Sequence, residues 1–356
     1  MESLSRERLT AALAARQLLL ERARLSPAEA IRHLTPLQGQ HPPAPYIALA
    51  ARLDGFTRAA LEADIEARAV VKTTIMRLTL HLAHADDYPA YAQLSRQFWL
   101  RKWRTTYPQL DEEKVAAELG AWLSEPRTNG EIREHVRERY DGVPDFPYAP
   151  LIFARTLLPV IQLPPAGFYD DTRRRTAFVV DPRPRPHRVD AAALVIRRYL
   201  TAFGPAQKRD VSAWVGAAQS DFADAWERIE TVTYRDEQGR KLLDLPGQPL
   251  PPADTPLPPR LVGHWDQALL AYQDRERIIP PEVAPLKLTL SGSPTVTVDG
   301  RVAASWDYRR EDGTVTVTIE PHTDIPRSAH AAIREEARRT ARICEPDARG
   351  YDVSWV

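Results

Sequence analysis

The sequence predicts a mixed α+β protein: three winged-helix motifs in tandem, followed by a small β-barrel or curved sheet with one helix. Three observations predict it. Two or three helical patterns followed by an alternating stretch recur three times between Leu4 and Leu245. A proline-rich stretch, GQPLPPADTPLPPR, then breaks the pattern. Beyond it, short alternating runs meet at Asp-Gly pairs, which favour two-residue hairpin turns. The implied boundaries are 1–105, 106–188 and 189–246 for the three winged helices, 247–260 for the linker, and 261–356 for the C-terminal unit.

In the first unit, Leu4-Ser5-Arg6 opens a helix with Leu9, Leu13 and Leu20 on one side. Ser26-Pro27-Ala28-Glu29 is a helix start: Ser caps, Pro fits the first turn, and Glu three residues on completes a capping box. A third helix fits Thr57–Arg68, and Val70–Leu82 alternates with many β-branched residues, so it reads as one strand. In the second unit, helices fit Glu112–Leu123, Thr128–Tyr140 and Tyr148–Leu157. Strands at Val160–Leu163 and Ala177–Val180 then bracket a loop carrying Arg173, Arg174 and Arg175. The third unit has helices at Ala191–Ala202, Lys208–Val215 and Ser220–Ile229, then a hairpin over Thr231–Leu245. The C-terminal unit has turns at Asp299-Gly300 and Asp312-Gly313, a helix over Ser328–Ile343, and a closing strand over Tyr351–Val356.

Composition bounds the chemistry. Hydrophobic residues are 43% and charged residues 27%, the proportions of an ordinary globular protein able to build a sizeable core. One cysteine, Cys344, excludes an internal disulfide and cysteine-based metal clusters. No run approaches the roughly 18 apolar residues of a membrane span, and the N-terminus mixes Arg and Glu into its apolar positions, so a cytoplasmic protein is expected. Net charge is zero, but only six of the 48 basic residues are lysine. The remainder are arginines, the side chain that forks onto phosphates.

The segment ARQLLLERARLSPAEAIRHLTPLQGQHPPAPYIALAARLDGF resembles the opening of the AlkZ-like winged-helix DNA glycosylases. IMRLTLHLAHADDY is similar to the wing that follows it there, and HWDQALLAYQDRERII and TVTVDGRVAASW to that family's C-terminal part. The likeness runs in order along nearly the whole chain. It implies a C-shaped protein curved around duplex DNA, and a monomer without cofactor is expected. His81 and His84 show no third ligand and the wrong spacing for one strand face, so no metal is expected. The family's functional motif is a glutamine, a usually apolar residue, and then glutamine or aspartate. Here it is Gln38-Gly39-Gln40, with glycine replacing the apolar residue and loosening the backbone. The resemblance implies that Gln38 and Gln40 are catalytic, that the substrate is double-stranded DNA with an alkylated purine, and that the ecological role is self-resistance to a DNA-alkylating natural product. Bulky adducts and cross-links are expected to be tolerated.

Two neutral amides suit only one kind of leaving group. A purine alkylated at N7 or N3 is cationic and departs as a neutral base without a general acid. The sugar then gains oxocarbenium character and attracts even weakly activated water. Amide oxygens can orient that water and stabilise the positive charge. Neutral lesions such as uracil should therefore be poor substrates.

Expected DNA contacts are Arg77 and His81, read as sharing one strand face with Thr79, together with Arg275, Arg277 and Arg301. A solvated strand face is the bland alternative for Arg77 and His81. Trp99 and Trp103 are expected to pack inward from a helix whose cations face out. Asp274 is expected to be a salt-bridged anchor, not a base. Two rivals remain at this point: a non-catalytic winged-helix regulator, which should protect one DNA site, and a protein that binds or hydrolyses the toxin itself, which should act without DNA.

Overall fold

In the computed structural model, residues 2–144, 148–171, 176–286 and 292–356 are described, so Arg173, Arg174 and Arg175 lie outside the described residues. A short strand β1 (Ser3–Leu4) leads into α1 (Arg6–Arg16), where the Ser5 hydroxyl accepts the Arg8 amide. Helix α2 (Pro27–Leu34) has the expected capping box: Ser26 Oγ accepts the Glu29 amide, and Glu29 Oε2 accepts the Ser26 amide at 2.9 Å. The chain then forms β2 (Leu37–Gln38) and α3 (Ala44–Arg52). Helix α3 is absent from the sequence reading because Pro42, Pro43 and Pro45 look like loop. They are tolerated because first-turn amides have no intrahelical acceptor to lose.

After α4 (Arg58–Glu66), the stretch read as one strand is a hairpin, β3 (Val70–Thr74) and β4 (Leu80–His84). Alternation is the same in one long strand and in two antiparallel ones. The turn carries none of the usual glycine, asparagine or aspartate signals: Arg77 and Leu78 take φ of 53° and 57°. Arg77 is therefore on a turn tip and does not share a strand face with His81. Helix α5 (Tyr88–Thr106) closes the unit.

The second unit contains α6 (Glu112–Trp122), β5 (Arg127–Thr128), α7 (Asn129–Arg139), α8 (Ala149–Leu157), β6 (Val160–Gln162) and β7 (Ala177–Val180). Its hairpin is joined to that of the first unit. Lys72 pairs with Gln162 and Thr73 with Ile161, giving one six-stranded sheet ordered β2-β4-β3-β6-β7-β5. The third unit has α9 (Arg188–Phe203), α10 (Lys208–Val215), a short α11 (Ala223–Trp226), β8 (Val232–Asp236) and β9 (Lys241–Asp244). β1 pairs parallel to β8, tying the N-terminus to the third hairpin. Helix α9 is central: Val195, Ile196, Tyr199, Leu200 and Phe203 are fully buried in a cluster that also takes residues from α1, α5 and the C-terminal unit.

The C-terminal unit contains β10 (Arg260–Val262), α12 (Gln267–Leu270), β11 (Thr295–Val298), β12 (Arg301–Glu311), β13 (Thr314–Pro321), α13 (Arg327–Cys344) and β14 (Gly350–Trp355). Both Asp-Gly turns have positive φ at both residues, as a two-residue hairpin of this type requires. The strands run β10-β11-β12-β13-β14 as an open sheet, with no pairing between the first and last. The expected barrel is not closed. Its apolar face has another cover, since Ile333, Ala337 and Ala341 of α13 pack on Val315, Val317 and Ile319. Among the described residues, no helix is long and apolar enough to cross a membrane.

Candidate active site

After α2 the chain turns at Thr35, with φ of 75°, and enters β2 antiparallel to β4. Leu37 pairs with Leu82 and Gln38 with His81; the Gly39 amide then donates to Leu80 O at 2.7 Å. This ladder fixes the two glutamines at the sheet edge. Gln38 Oε1 turns back to accept the Gln40 amide at 2.7 Å, and Gln40 Oε1 accepts the Leu80 amide at 3.3 Å. Gln38 is only 9% exposed, whereas Gln40 is half-buried and faces a cavity.

Gly39 is held by ordinary ladder pairing. A Cβ there would sit 3.6 Å from the nearest atoms, His81 C and Leu82 N, in normal van der Waals contact. The apolar residue usual in the family motif therefore fits. Gly39→Ala is expected to raise stability by about 0.5–1 kcal/mol through a less flexible unfolded chain. Denaturant melts would check this, and a destabilised variant would contradict the geometry.

The cavity, of about 630 Å³, opens where the two joined hairpins meet α5, α8 and the start of α7. Gln40, Leu78, Arg96, Trp99, Arg155 and Arg185 are on its walls. Arg155 Nη1 donates to Thr74 Oγ1 at 2.6 Å, and its guanidinium is 5.3 Å from the Phe178 ring centre. Burial lowers Arg155 and Arg96 to about 10, and lowers Arg185 as well. All three stay cationic at neutral pH, so Gln40 faces a positively charged, partly apolar chamber. Trp103 packs in the core as expected, while Trp99 is on the cavity wall.

Beneath the motif, His81 is 1% exposed. Its Nδ1 donates to Thr79 O at 2.9 Å, since a carbonyl can only accept. Burial first, and Arg77 second, push it down to about 3. It is neutral at physiological pH and has almost no surface to offer a phosphate, which departs from the expected DNA contact. Alternation assigned it to a face but not to a depth. The unfolded chain takes up the His81 proton near pH 6.5 and the folded chain does not until about 3. The stability associated with neutral His81 is therefore present above pH 6.5 and lost as pH falls, by about 1.4 kcal/mol per unit. Urea melts at pH 7 and pH 5 should show that loss, and His81→Gln should remove His81's share of it.

Two histidines that the sequence reading did not single out lie next to the motif. The rings of His41 and His264 are 4.3 Å apart, and burial followed by His41 holds His264 down to about 4. Ile47 of α3 packs into the C-terminal cluster, which brings β10 and the residues after it to the motif. Arg155 and Arg185 were also missed. They come from α8 and from the loop after β7, and no local pattern links them to residue 40.

A family model described as DNA glycosylase AlkZ-like matches residues 31–343 of this chain. The chain belongs to the AlkZ-like DNA glycosylase family. An interstrand DNA cross-link repair glycosylase of Streptomyces sahachiroi is 26% identical over 359 residues, covering 92% of this chain and 93% of that protein. Among solved structures, the Streptomyces sahachiroi DNA glycosylase AlkZ is similar with a TM-score of 0.77 at 21% identity, over 99% of this chain and all of that one. At that identity the second likeness establishes the fold.

In this AlkZ-like glycosylase, the expected DNA-contact arginines fall into two sets. Arg77 is exposed at the β3–β4 tip, donates from Nη1 to Trp214 O, and lies 5.9 Å from the Trp214 ring centre. The residue is exposed as a whole, but its guanidinium folds inward onto Trp214, and burial of that group and then like charge from Arg275 lower it to about 10, so Arg275 is close by. Arg277 and Arg301 lie elsewhere. Arg277 donates to Pro205 O at 3.0 Å and stacks 4.1 Å over Tyr272, as an internal brace. Arg301 Nη2 is 3.4 Å from Glu276 O, on a turn docked against α1. A Cβ at Gly300, whose φ is 73°, would come within 2.6 Å of Thr10 Cγ2 and Leu257 Cδ1. Asp274 is the expected anchor, but its partner is Arg240. Burial is the largest single influence and opposes its ionisation, but the Arg240 hydrogen bond, the Glu276 amide and the charges of Arg240 and Arg209 together outweigh it and leave the carboxyl more acidic than usual.

Proposed function

We propose that this enzyme is a monofunctional DNA glycosylase that hydrolyses the N-glycosidic bond of cationic N7- or N3-alkylated purines in duplex DNA, including bulky adducts and one end of an interstrand cross-link. The last element carries over the activity named for the Streptomyces sahachiroi relative. In this reading, the Gln40 carboxamide orients the attacking water, and Gln38 fixes Gln40 through the 2.7 Å bond to its amide. The electron pair of the breaking bond to C1′ passes to the base and neutralises it. Water oxygen bonds to C1′, and its proton leaves to solvent. The products are a free modified base and an abasic site.

The observation that carries this reading is the presence of Gln40 on the wall of a cavity bearing Arg96, Arg155 and Arg185, with Arg77 on the tip of the hairpin whose Leu80 amide bonds Gln40. Arginines near the motif suit DNA phosphates, and amides without a carboxylate suit a leaving group that is already cationic. The three helix–hairpin units are read as winged helices that grip the duplex, over 1–105, 106–188 and 189–246, with Arg77 and Arg275 as the contacts nearest the lesion.

The test is a duplex carrying a single N7-methylguanine, incubated with the protein and then treated with alkali. Strand cleavage at that guanine, with no cleavage of a uracil-containing duplex, is the expected result. Intact N7-methylguanine strands would overturn it.

A further inference from the structure

We propose that the cavity beside Gln40 is the receptor for the substituent on the damaged base, and that it takes a planar, drug-sized group bearing carbonyl or similar acceptor oxygens. This deepens the glycosylase reading above and rests on it. Size comes first. At about 630 Å³ the cavity lies within the roughly 300–1,000 Å³ that drug-sized ligands occupy, and a methyl group would leave nearly all of it empty.

The lining comes second. Leu78 and Tyr148 are among the few exposed large hydrophobic residues described, at 40% and 66%, and both border this cavity. Trp99 and Phe178 add aromatic wall. Exposed apolar groups gathered at one opening mark a binding surface. The cations come third. Both Arg155 and Arg96 line the chamber: Arg155 Nη1 donates to Thr74 Oγ1 at 2.6 Å, Arg96 Nη2 is 3.4 Å from Glu112 Oε1, and Nε of each is buried without an acceptor among the described residues. A guanidinium stacks on flat rings and forks onto oxygens, so these two arginines match an acceptor-bearing planar group. A DNA phosphate in the same place would use the arginines and none of the apolar wall. Gln40 is shared between the chamber and the motif, so a group seated there hangs from the base whose glycosidic bond is attacked.

The experiment compares two duplexes, each with one N7-substituted guanine: methyl in one, and in the other the aflatoxin B1 adduct, whose fused planar rings carry lactone and ketone oxygens. Ala92, on the α5 wall, is replaced by Trp to fill the chamber, and Tyr148 by Ala to strip its rim. Ala92→Trp is expected to lower kcat/KM on the aflatoxin duplex by about tenfold or more, and Tyr148→Ala by about threefold. Both should stay within about twofold of wild type on the methyl duplex, which also reports that they fold. Equal losses on both duplexes, by variants whose thermal melts match wild type, would mean that the cavity holds DNA itself and would overturn the proposal. So would unchanged aflatoxin release by the variants, or a wild type that releases methylguanine and not the aflatoxin base. A wild type that releases neither base would bring down the glycosylase reading first.

Discussion

Gln40→Ala is expected to slow release of N7-methylguanine by at least about tenfold while changing affinity for the intact duplex by less than about twofold. A single preorganised dipole at a developing charge is worth roughly 10²–10³ in rate where that charge is a full oxyanion. Here the amide orients a neutral water toward a carbon that is losing a neutral base, so the lower part of that scale or somewhat less applies. Gln38→Ala should give a similar loss by another route. Gln38 Oε1 accepts the Gln40 amide, so its removal frees the backbone that aims Gln40. Both changes should appear in kcat, because neither amide is needed to bind the phosphates. Single-turnover release and duplex binding, measured side by side, would check this. Equal rates in wild type and both variants would remove the glutamines from the mechanism.

The second large effect is on stability. Arg52 and Asp266 are fully buried and joined by two parallel hydrogen bonds of 2.7 and 2.8 Å. Arg52 also donates to Ala48 O. Arg52 ends α3, the helix after the glutamine motif, and Asp266 caps α12 in the C-terminal unit, so the pair locks the motif's neighbour to the distant end of the chain. Arg52→Ala should cost about 3–5 kcal/mol, because an unpaired carboxylate is left in a dry interior. Asp266→Asn should cost less, since a neutral amide can still accept a hydrogen bond. Denaturant midpoints for both variants would measure it. A loss under about 1 kcal/mol for Arg52→Ala would mean that water reaches Asp266.

Most secondary elements were legible because their signals are local. Ser26 and Glu29 announce a capping box, Lys208–Val215 has the right length between Gly-Pro and Gly, and Asp299-Gly300 and Asp312-Gly313 announce their turns. The motif Gln38-Gly39-Gln40 was legible through its family resemblance, since a glutamine pair has no pattern of its own. Where reading failed, the cause was tertiary. The β3–β4 turn uses Arg77 and Leu78 in left-handed conformations that the surrounding pairing imposes. Helix α3 begins among prolines because it packs on other elements. The C-terminal sheet stays open because α13 covers the face that closure would otherwise have to bury.

The sequence by itself determined which residues cap, turn and alternate, and that two carboxamides stand two residues apart. Only the tertiary structure decided their surroundings. The Lys72–Gln162 and Thr73–Ile161 pairings join two hairpins, and that junction carries Arg155 and Arg185 to the wall shared with Gln40. The same folding sinks His81 out of solvent and sends Arg277 and Arg301 elsewhere. The physical reason is range: caps and turns act over three or four residues, whereas burial and a cavity's charge are set by residues more than a hundred positions apart.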